Sequence, residues 1–250
     1  MQVKVYKNSQ ELGAAAAKAA AAKLNETIAK KGYARLLLST GASQFDFFTA
    51  IAKENVDWSK VEMFHLDEYV GISAEHPASF HKYLKERFVD VVHPAKYHLM
   101  NGEENPEETI ARVTALITEE PIDLGMIGIG ENGHIAFNDP PADFDDERAY
   151  KVVTLNDTCL RQQVREGWFE NEDKAFKQAI SMTCKQIMKC ETIMSVVPHA
   201  VKAEAVRGAL TLDVTPDLPA TLFKTHSDVT IYLDENSASL CDKELLAKFA

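Results

Sequence analysis

The stretch ARLLLSTGAS at residues 34–43 runs from a short apolar segment directly into a turn. A continuous apolar run of this length is typical of a strand that is buried on both faces of a parallel sheet. A helical pattern, QFDFFTAIAKE, follows the turn, so the segment predicts a strand-turn-helix unit. The turn offers two hydroxyls, a glycine that lets the backbone approach a ligand closely, and a helix start, which together favour an anion. Such a turn also needs a glycine and a cap for structural reasons, so the pattern alone does not define a phosphate site.

The alternation of strands and helices extends outward from this unit in both directions. The stretch QVKVY at 2–6 is strand-like, and an Ala-rich helix follows, with Ser9 as the expected cap and Gly32 as the stop. Further strands are predicted at 61–69, 122–130, 152–155, 191–198 and 229–234, and further helices at 79–90, 105–120, 159–166, 174–189 and 199–210. This order predicts an α/β fold: a three-layer, doubly wound, mostly parallel sheet of the Rossmann-like type. We expect one domain over residues 1–250, with a lid segment around 142–185.

Composition and charge exclude several classes of protein. The formal net charge of −11 argues against a nucleic acid or an anionic membrane as the main partner. The four cysteines are scattered, without a CxxC pair, which favours reduced thiols over disulfides or a zinc site. The N-terminus lacks the apolar run of a signal peptide, and no segment has eighteen consecutive apolar residues. We therefore expect a cytoplasmic protein, whose positive potential must be concentrated locally if it binds an anion.

Two further predicted strands end in residues that can carry chemistry. The segment FHLDEYVG at 64–71 places Asp67 and Glu68 after an apolar strand. Neighbouring residues of a strand point to opposite faces, so at most one of the two carboxylates faces a pocket. A carboxylate in a partly dry strand end is a natural general base, because burial raises its pKa. A solvated loop acid is the structural alternative.

The third strand end, GIGENGHIAFNDPP at 128–141, surrounds a histidine with glycines and polar residues. His134 is the strongest acid-base candidate of the eight histidines, and Asp139 lies five residues further on, where it could orient the ring. A histidine after glycines is more often structural. The carboxyl ends of parallel strands meet at one edge of a sheet, so the three strand ends are expected to form one site.

These segments together resemble the glucosamine-6-phosphate deaminase family, which shares its superfamily with the 6-phosphogluconolactonases. The strings TGAS (40–43), LDEYVG (66–71) and NGHIAFNDP (132–140) are similar to the family's phosphate loop, catalytic strand end and histidine motif. The resemblance continues through VPHAVKAEAV (197–206) and PATLFKTH (219–226), and it covers most of the chain up to residue 233.

The resemblance implies conversion of glucosamine 6-phosphate and water to fructose 6-phosphate and ammonia, without a metal or another cofactor. Asp67 matches the carboxylate that moves the C2 proton, and His134 matches the histidine that opens the ring. Asn132 and Asp139 match the two residues that orient this histidine. The resemblance also implies a set of residues that bind substrate or phosphate: Thr40, Gly41, Ala42, Ser43, Gly133 and Lys202, with either Arg161 or Arg165 as a phosphate arginine.

Two departures from the family pattern keep alternatives open. Many members have Asp where this chain has Asn132 and Glu where it has Asp139, and the shorter Asp139 is expected to reach the ring through water. A deaminase acting on another amino-sugar phosphate, such as the galactosamine epimer, therefore stays open. A 6-phosphogluconolactonase is the nearest rival, although such enzymes usually lack LDEYVG. A non-catalytic sugar-phosphate sensor is disfavoured, since the chain shows no DNA-binding element. The sequence leaves open whether the chain forms a homo-oligomer.

Overall fold

Strands and helices alternate along the chain in the computed structural model, which describes residues 1–249. The strands are β1 (Gln2–Tyr6), β2 (Ala34–Leu38), β3 (Val61–His65), β4 (Asp67–Tyr69), β5 (Lys96–His98), β6 (Leu124–Met126), β7 (Tyr150–Thr154), β8 (Gln178–Met182), β9 (Thr192–Val197) and β10 (Val229–Asp234). The helices are α1 (Ser9–Lys31), α2 (Phe45–Ile51), α3 (Phe80–Leu84), α4 (Asp90–Val92), α5 (Pro106–Ile117), α6 (Asp157–Arg165), α7 (Cys184–Ile187), α8 (Ala203–Thr211) and α9 (Lys243–Ala247). Short 3-10 turns at Ala42–Gln44, Ala200–Lys202 and Pro219–Thr225 connect them.

The central sheet is parallel and has the strand order β1-β10-β9-β6-β2-β3-β5. From β2 the chain moves outward through β3 and β5, whereas β6, β9 and β10 lie on the other side of β2. The direction of winding therefore reverses between β2 and β6. Ligands of doubly wound sheets bind at such a reversal, outside the carboxyl ends of the strands.

Two hydrophobic cores cover the two faces of this sheet. Along β2, Leu37 packs into one core, and Leu36 and Leu38 pack into the other. The first core also holds residues of α5 and α8, and the second holds residues of α1 and α2. Alternate side chains of a strand point to opposite faces, so this division makes three layers. The predicted three-layer, mostly parallel α/β fold is confirmed.

A small antiparallel sheet, in the order β4-β8-β7, stands beside the central one. It corrects the prediction of a helix at 174–189, because Gln178–Met182 forms strand β8 and only Cys184–Ile187 is helical. Strand β8 pairs with β4 on one side and with β7 on the other. This pairing between distant segments overrides the local helical preference, which is a weak determinant by itself.

Other boundaries differ from the predicted ones by a few residues. The N-cap of α1 is Asn8 rather than Ser9, and the Asn8 side chain accepts a hydrogen bond from the Glu11 backbone at 2.9 Å. The predicted strand 61–69 divides at Leu66, since β3 belongs to the central sheet and β4 to the small one. The predicted strand 122–130 is regular only over Leu124–Met126, ahead of its glycines. Within residues 1–249, none of the helices combines the length and the apolar character needed to cross a bilayer.

Candidate active site

A cavity opens at the carboxyl ends of β2, β3 and β6, where the winding of the sheet reverses. Its walls contain side chains from these strand ends, from α6 and from the turn after β9. The lining residues are Ser39, Thr40, Gly41, Ser43, Leu66, Asp67, Phe80, Gly128, Ile129, Gly130, His134, Ala136, Phe137, Gln162, Gln163, Glu166, Trp168 and Lys202. All three strand ends that the sequence singled out therefore meet in one cavity.

The loop after β2 forms one end of the cavity. Gly41 adopts φ +104°, a conformation that side-chain-bearing residues rarely adopt, and an added Cβ would meet nothing within 4 Å. The Tyr83 hydroxyl donates to the Gly41 carbonyl at 3.0 Å, and the buried Gln44 amide donates to the Ser43 hydroxyl at 3.0 Å. Ser39 contributes a buried hydroxyl without a hydrogen-bond partner in the described chain. The loop is thus held from behind, and the buried Ser39 hydroxyl beside it is left unpaired in the described chain.

Lys202 places a buried positive charge against this loop. It ends the 3-10 turn after β9 and is only 4% exposed, and its ammonium forms no ion pair with any of residues 1–249. Burial lowers the pKa of Lys202, the charge of Glu166 opposes this effect, and the charge of Arg165 adds to it. A buried ammonium without a partner is costly, so this end of the cavity is suited to an anion.

Asp67 lies in the cavity wall without a partner. Its side chain is 6% exposed, and no donor within residues 1–249 bonds to its carboxylate. Burial, and then the like charge of Glu68, raise the pKa of Asp67 well above its usual range. A buried carboxyl of this kind has the properties of a general base or acid.

Glu68 points away from the cavity, as the alternation of a strand requires. Its carboxylate accepts hydrogen bonds from the Ser79 hydroxyl at 2.8 Å and from the backbone of Phe80 at 3.2 Å and of His81 at 2.8 Å. Burial raises the pKa of Glu68 to about 7, although these donors oppose the rise. Glu68 therefore binds the first turn of α3, and only one of the two adjacent carboxylates faces the cavity.

The third strand end holds His134 between a glycine and a carboxylate. A Cβ on Gly130 would lie 2.2 Å from His134 Nε2, so only glycine leaves room for the ring. His134 Nδ1 lies 3.0 Å from Asp139 Oδ1, and Asn132 Nδ2 donates to the same oxygen at 3.0 Å. The prediction that Asp139 reaches the His134 ring through a water molecule is therefore wrong, because the contact is direct.

The carboxylate behind His134 is held in its ionised form. Burial raises the pKa of Asp139, but hydrogen bonds from His134 and Asn132 outweigh burial, and the net shift is downward. With Nδ1 directed at Asp139, the Nε2 atom of His134 faces the cavity, where it can accept or donate a proton. The arrangement joins an acid-base group to a fixed orienting carboxylate.

Several residues predicted for the site lie outside the cavity. Arg165 forms an ion pair with Glu131, and exposed Arg161 lies beside Thr158 at 3.3 Å. Gly133 adopts φ +83° with Leu218 beside it, and Ala42 begins the 3-10 turn of the loop without lining the cavity. Neither arginine joins Lys202 in the structure, because α6 turns both toward the surface.

The residues of α6, and of the segment just after it, that line the cavity are not the arginines that the sequence predicted there. Gln162, Gln163, Glu166 and Trp168 line the cavity opposite the strand ends. The spacing of Gln162 and Glu166, four residues apart on one helical face, was the available signal, and Gln162 Nε2 does donate to Glu166 at 2.8 Å. That spacing shows that the two side chains lie on one face of the helix. It does not show that this face covers a cavity.

The fold and the cavity define an α/β protein with a candidate site at the carboxyl edge of a parallel sheet, where a buried cation, a buried carboxyl and a histidine line one cavity. The model of the family "Glucosamine-6-phosphate isomerases/6-phosphogluconolactonase" matches residues 7–232, and the chain belongs to this family. The resemblance seen in the motifs is thereby confirmed.

Individual relatives agree with this assignment. The chain is 38% identical over 230 residues to a glucosamine-6-phosphate deaminase of Staphylococcus epidermidis, covering 88% of this chain and 93% of that one. It is 36% identical over 208 residues to one of Latilactobacillus sakei, covering 82% and 86%. The solved structure of a monomeric glucosamine-6-phosphate deaminase has a TM-score of 0.88 at 31% identity, covering 96% of this chain and 100% of that one. A 6-phosphogluconolactonase from Shewanella baltica has a TM-score of 0.78 at 19% identity, covering 94% and 97%, which shows the fold alone.

Proposed function

We propose that this protein is an amino-sugar-phosphate deaminase and isomerase that converts glucosamine 6-phosphate and water to fructose 6-phosphate and ammonia. The observation that carries the proposal is the meeting of Lys202, Asp67 and His134 around one cavity. These groups meet the needs of the reaction: an anion site, a base for carbon-bound protons, and an imidazole that can carry a proton to the ring oxygen. The relatives that are 35–38% identical bear the deaminase name.

The phosphate would bind at the end formed by the 39–43 loop and Lys202. The buried ammonium gains its counter-ion there, and the Ser39 hydroxyl gains a partner. Binding energy from this remote group would hold the sugar in a reactive orientation. Of the two predicted arginines, Arg165 is the better candidate for a second phosphate ligand, since its charge already acts on Lys202. It would first have to leave Glu131.

The chemical steps would divide between His134 and Asp67. His134 passes the proton of the anomeric hydroxyl to the ring oxygen as the C1–O5 bond breaks, which leaves the open-chain aldehyde. Asp67 then removes the proton from C2 while O1 takes a proton from the 2-ammonium group, and the protonated Asp67 returns its proton to C1, so that C1 becomes an alcohol and C2 an iminium. One base that reaches both carbons suffices for this transfer. Water adds at C2, the carbinolamine expels ammonia, and the ketose remains.

The proposal also covers a lid, the cellular location and the oligomeric state. Segment 142–185 would act as a lid, because its helix α6 contributes the cavity wall opposite the strand ends. The substrate class suits a cytoplasmic location. The related deaminase described as monomeric makes a monomer the simplest state for this chain.

The test is an assay of ammonia and fructose 6-phosphate from glucosamine 6-phosphate, with Asp67→Asn as the control. The galactosamine epimer is assayed in parallel, because the sequence leaves the epimer open. Acid release from 6-phosphogluconolactone measures the rival activity of the same family. If the protein opens the lactone and releases no ammonia from either amino sugar, the deaminase proposal is refuted.

A further inference from the structure

Gln163 of α6 carries a buried amide oxygen for which the protein supplies no donor. The residue lines the cavity and is 5% exposed, and its Oε1 has no hydrogen-bond partner within residues 1–249. A buried acceptor left without a donor is costly, so such atoms in native proteins call for an explanation.

The neighbouring Gln162 shows that α6 does not leave its amides unpaired in general. Gln162 also lines the cavity and is 7% exposed. Its Nε2 donates to Glu166 Oε1 at 2.8 Å, and its Oε1 accepts from the Glu131 backbone at 3.4 Å. Two adjacent glutamines of one helix thus face the same cavity, and only the second has an acceptor that the protein does not satisfy.

The position of Gln163 limits what its partner can be. The Asn156 backbone, just before α6, donates to Asp139 at 3.4 Å, and the Trp168 ring, just after α6, packs against Tyr83, whose hydroxyl donates to the Gly41 carbonyl. Gln163 therefore lies between the catalytic end of the cavity and the phosphate end. In a hexose 6-phosphate with its phosphate at Lys202 and its C1 and C2 at Asp67, this middle region holds the C3 and C4 hydroxyls.

We infer that Gln163 is a specificity-determining residue whose Oε1 accepts a hydrogen bond from the C3 or the C4 hydroxyl of the sugar. The inference rests on the proposed function and assigns to Gln163 the recognition of a part of the substrate that does not react. A site built around a buried hydrogen bond rejects a ligand that lacks the donor, because the acceptor then stays unpaired. Loss of one such bond corresponds to about 10- to 100-fold in kcat/KM.

The test is a double-mutant cycle between the enzyme and its substrate. Wild type and Gln163→Met are assayed with glucosamine 6-phosphate and with its 3-deoxy and 4-deoxy analogues. Wild type should lose about 10- to 100-fold on one of the two analogues. Gln163→Met should lose a similar factor on the parent sugar and lose nothing further on that analogue. Gln163→Glu keeps an acceptor oxygen and should keep the discrimination.

Gln162→Met is the matched contrast, because it removes hydrogen bonds made within the protein. It should lower the unfolding temperature and reduce kcat/KM by the same factor on all three sugars. The inference is overturned if Gln163→Met behaves in this uniform way, or if it still discriminates against the analogue that wild type rejects.

Binding to the Asp67→Asn variant keeps this test separate from the proposed function. Calorimetry with the same three sugars is performed on Asp67→Asn, with and without Gln163→Met. If wild type releases no ammonia, the proposed deaminase activity is refuted. The binding measurements still show whether Gln163 forms a hydrogen bond with a sugar hydroxyl. Equal affinity of both proteins for all three sugars refutes the role of Gln163.

Discussion

Buried charges occur at both edges of the central sheet, and the network around Arg35 at the amino edge is paired within the protein. At the amino edge, Arg35 is 2% exposed, and its Nε lies 2.9 Å from Glu62, which also contacts His98 at 2.8 Å. The Arg35 backbone donates to Asp123 at 2.6 Å, and Lys31 pairs with the same carboxylate at 2.8 Å. Every charge in this network is matched within the chain.

The carboxyl edge is different, because Lys202 and Asp67 are as deeply buried and have no partner in the described residues. Breaking a paired buried charge costs stability, whereas removing an unpaired one relieves a desolvation cost. The comparison teaches that burial of a charge does not identify a site. Buried charges that lack an internal partner, such as Lys202 and Asp67, distinguish this cavity from the paired network of the amino edge.

The largest effect is expected from Asp67→Asn. Loss of the general base should lower kcat for ammonia release by about 10²- to 10⁴-fold. Stability should not fall, since an unpaired buried carboxyl is replaced by a neutral group of equal size. Kinetics of ammonia release test the expected loss of kcat, and thermal unfolding of the same preparation tests the expected unchanged stability. A variant that keeps a tenth of the activity, or that unfolds at a clearly lower temperature, would break the comparison.

The opposite result is expected from Arg35→Met at the amino edge. This change leaves Glu62 buried without its cation and should cost about 3–5 kcal/mol of the free energy of unfolding. Urea unfolding measures the loss, and the kcat/KM of the folded fraction should stay unchanged. Lys30→Met is the control, because Lys30 pairs with Glu26 on the exposed face of α1 and should matter little.

Lys202→Met should act mainly on substrate affinity. A phosphate left without its buried cation costs about 2–5 kcal/mol, so kcat/KM should fall at least about 30-fold, largely through KM. The unfolding temperature should rise or stay constant, because the ammonium has no internal partner to lose. A fall in stability with an unchanged KM would show that Lys202 has a structural role, like the paired charges of the amino edge.

Glu68→Gln separates the two carboxylates by their response to pH. The folded-state pKa of Glu68, about 7, lies above its ordinary value of 4.5. Its stabilising contribution is therefore complete below about pH 4.5 and is lost as the pH rises to about 7. Glu68→Gln should abolish this loss in unfolding measured between pH 4.5 and 7.

The same variant should also move the acid limb of the kcat/KM profile. The charge of Glu68 raises the pKa of Asp67, so its removal lowers that pKa. The base then stays ionised to lower pH, and the limb should shift in that direction. A shift toward higher pH, or none, would show that the two carboxyls do not interact.

The smallest effects are expected from the arginines of α6. Arg161→Gln should change KM by no more than about twofold, as surface substitutions usually do. Arg165→Gln should raise KM several-fold if this side chain leaves Glu131 for the phosphate, and KM measured on both variants separates the two residues. Equal and negligible effects would leave Lys202 as the only cation acting on the phosphate.

Much of the fold was readable from the sequence because its signals are local. The apolar run Leu36–Leu38 with its glycine turn predicted a buried parallel strand, and the alternation of patterns predicted the layers. The helix predicted at 174–189 failed because strand β8 exists only through its pairing with β4 and β7, which lie far away in the chain. The same limit applied to Gln163, because no local pattern shows that an amide will lie across a cavity without a donor.

The sequence by itself determined the order of the elements, the three strand ends with their chemistry, and the fact that Asp67 and Glu68 face opposite ways. Periodicity and backbone conformation are set by residues close together in the chain. Tertiary structure alone decided which buried charges are matched, that Asp139 contacts His134 directly, and that α6 covers the cavity with Gln163 rather than with an arginine. Pairing and desolvation depend on neighbours that only folding brings together.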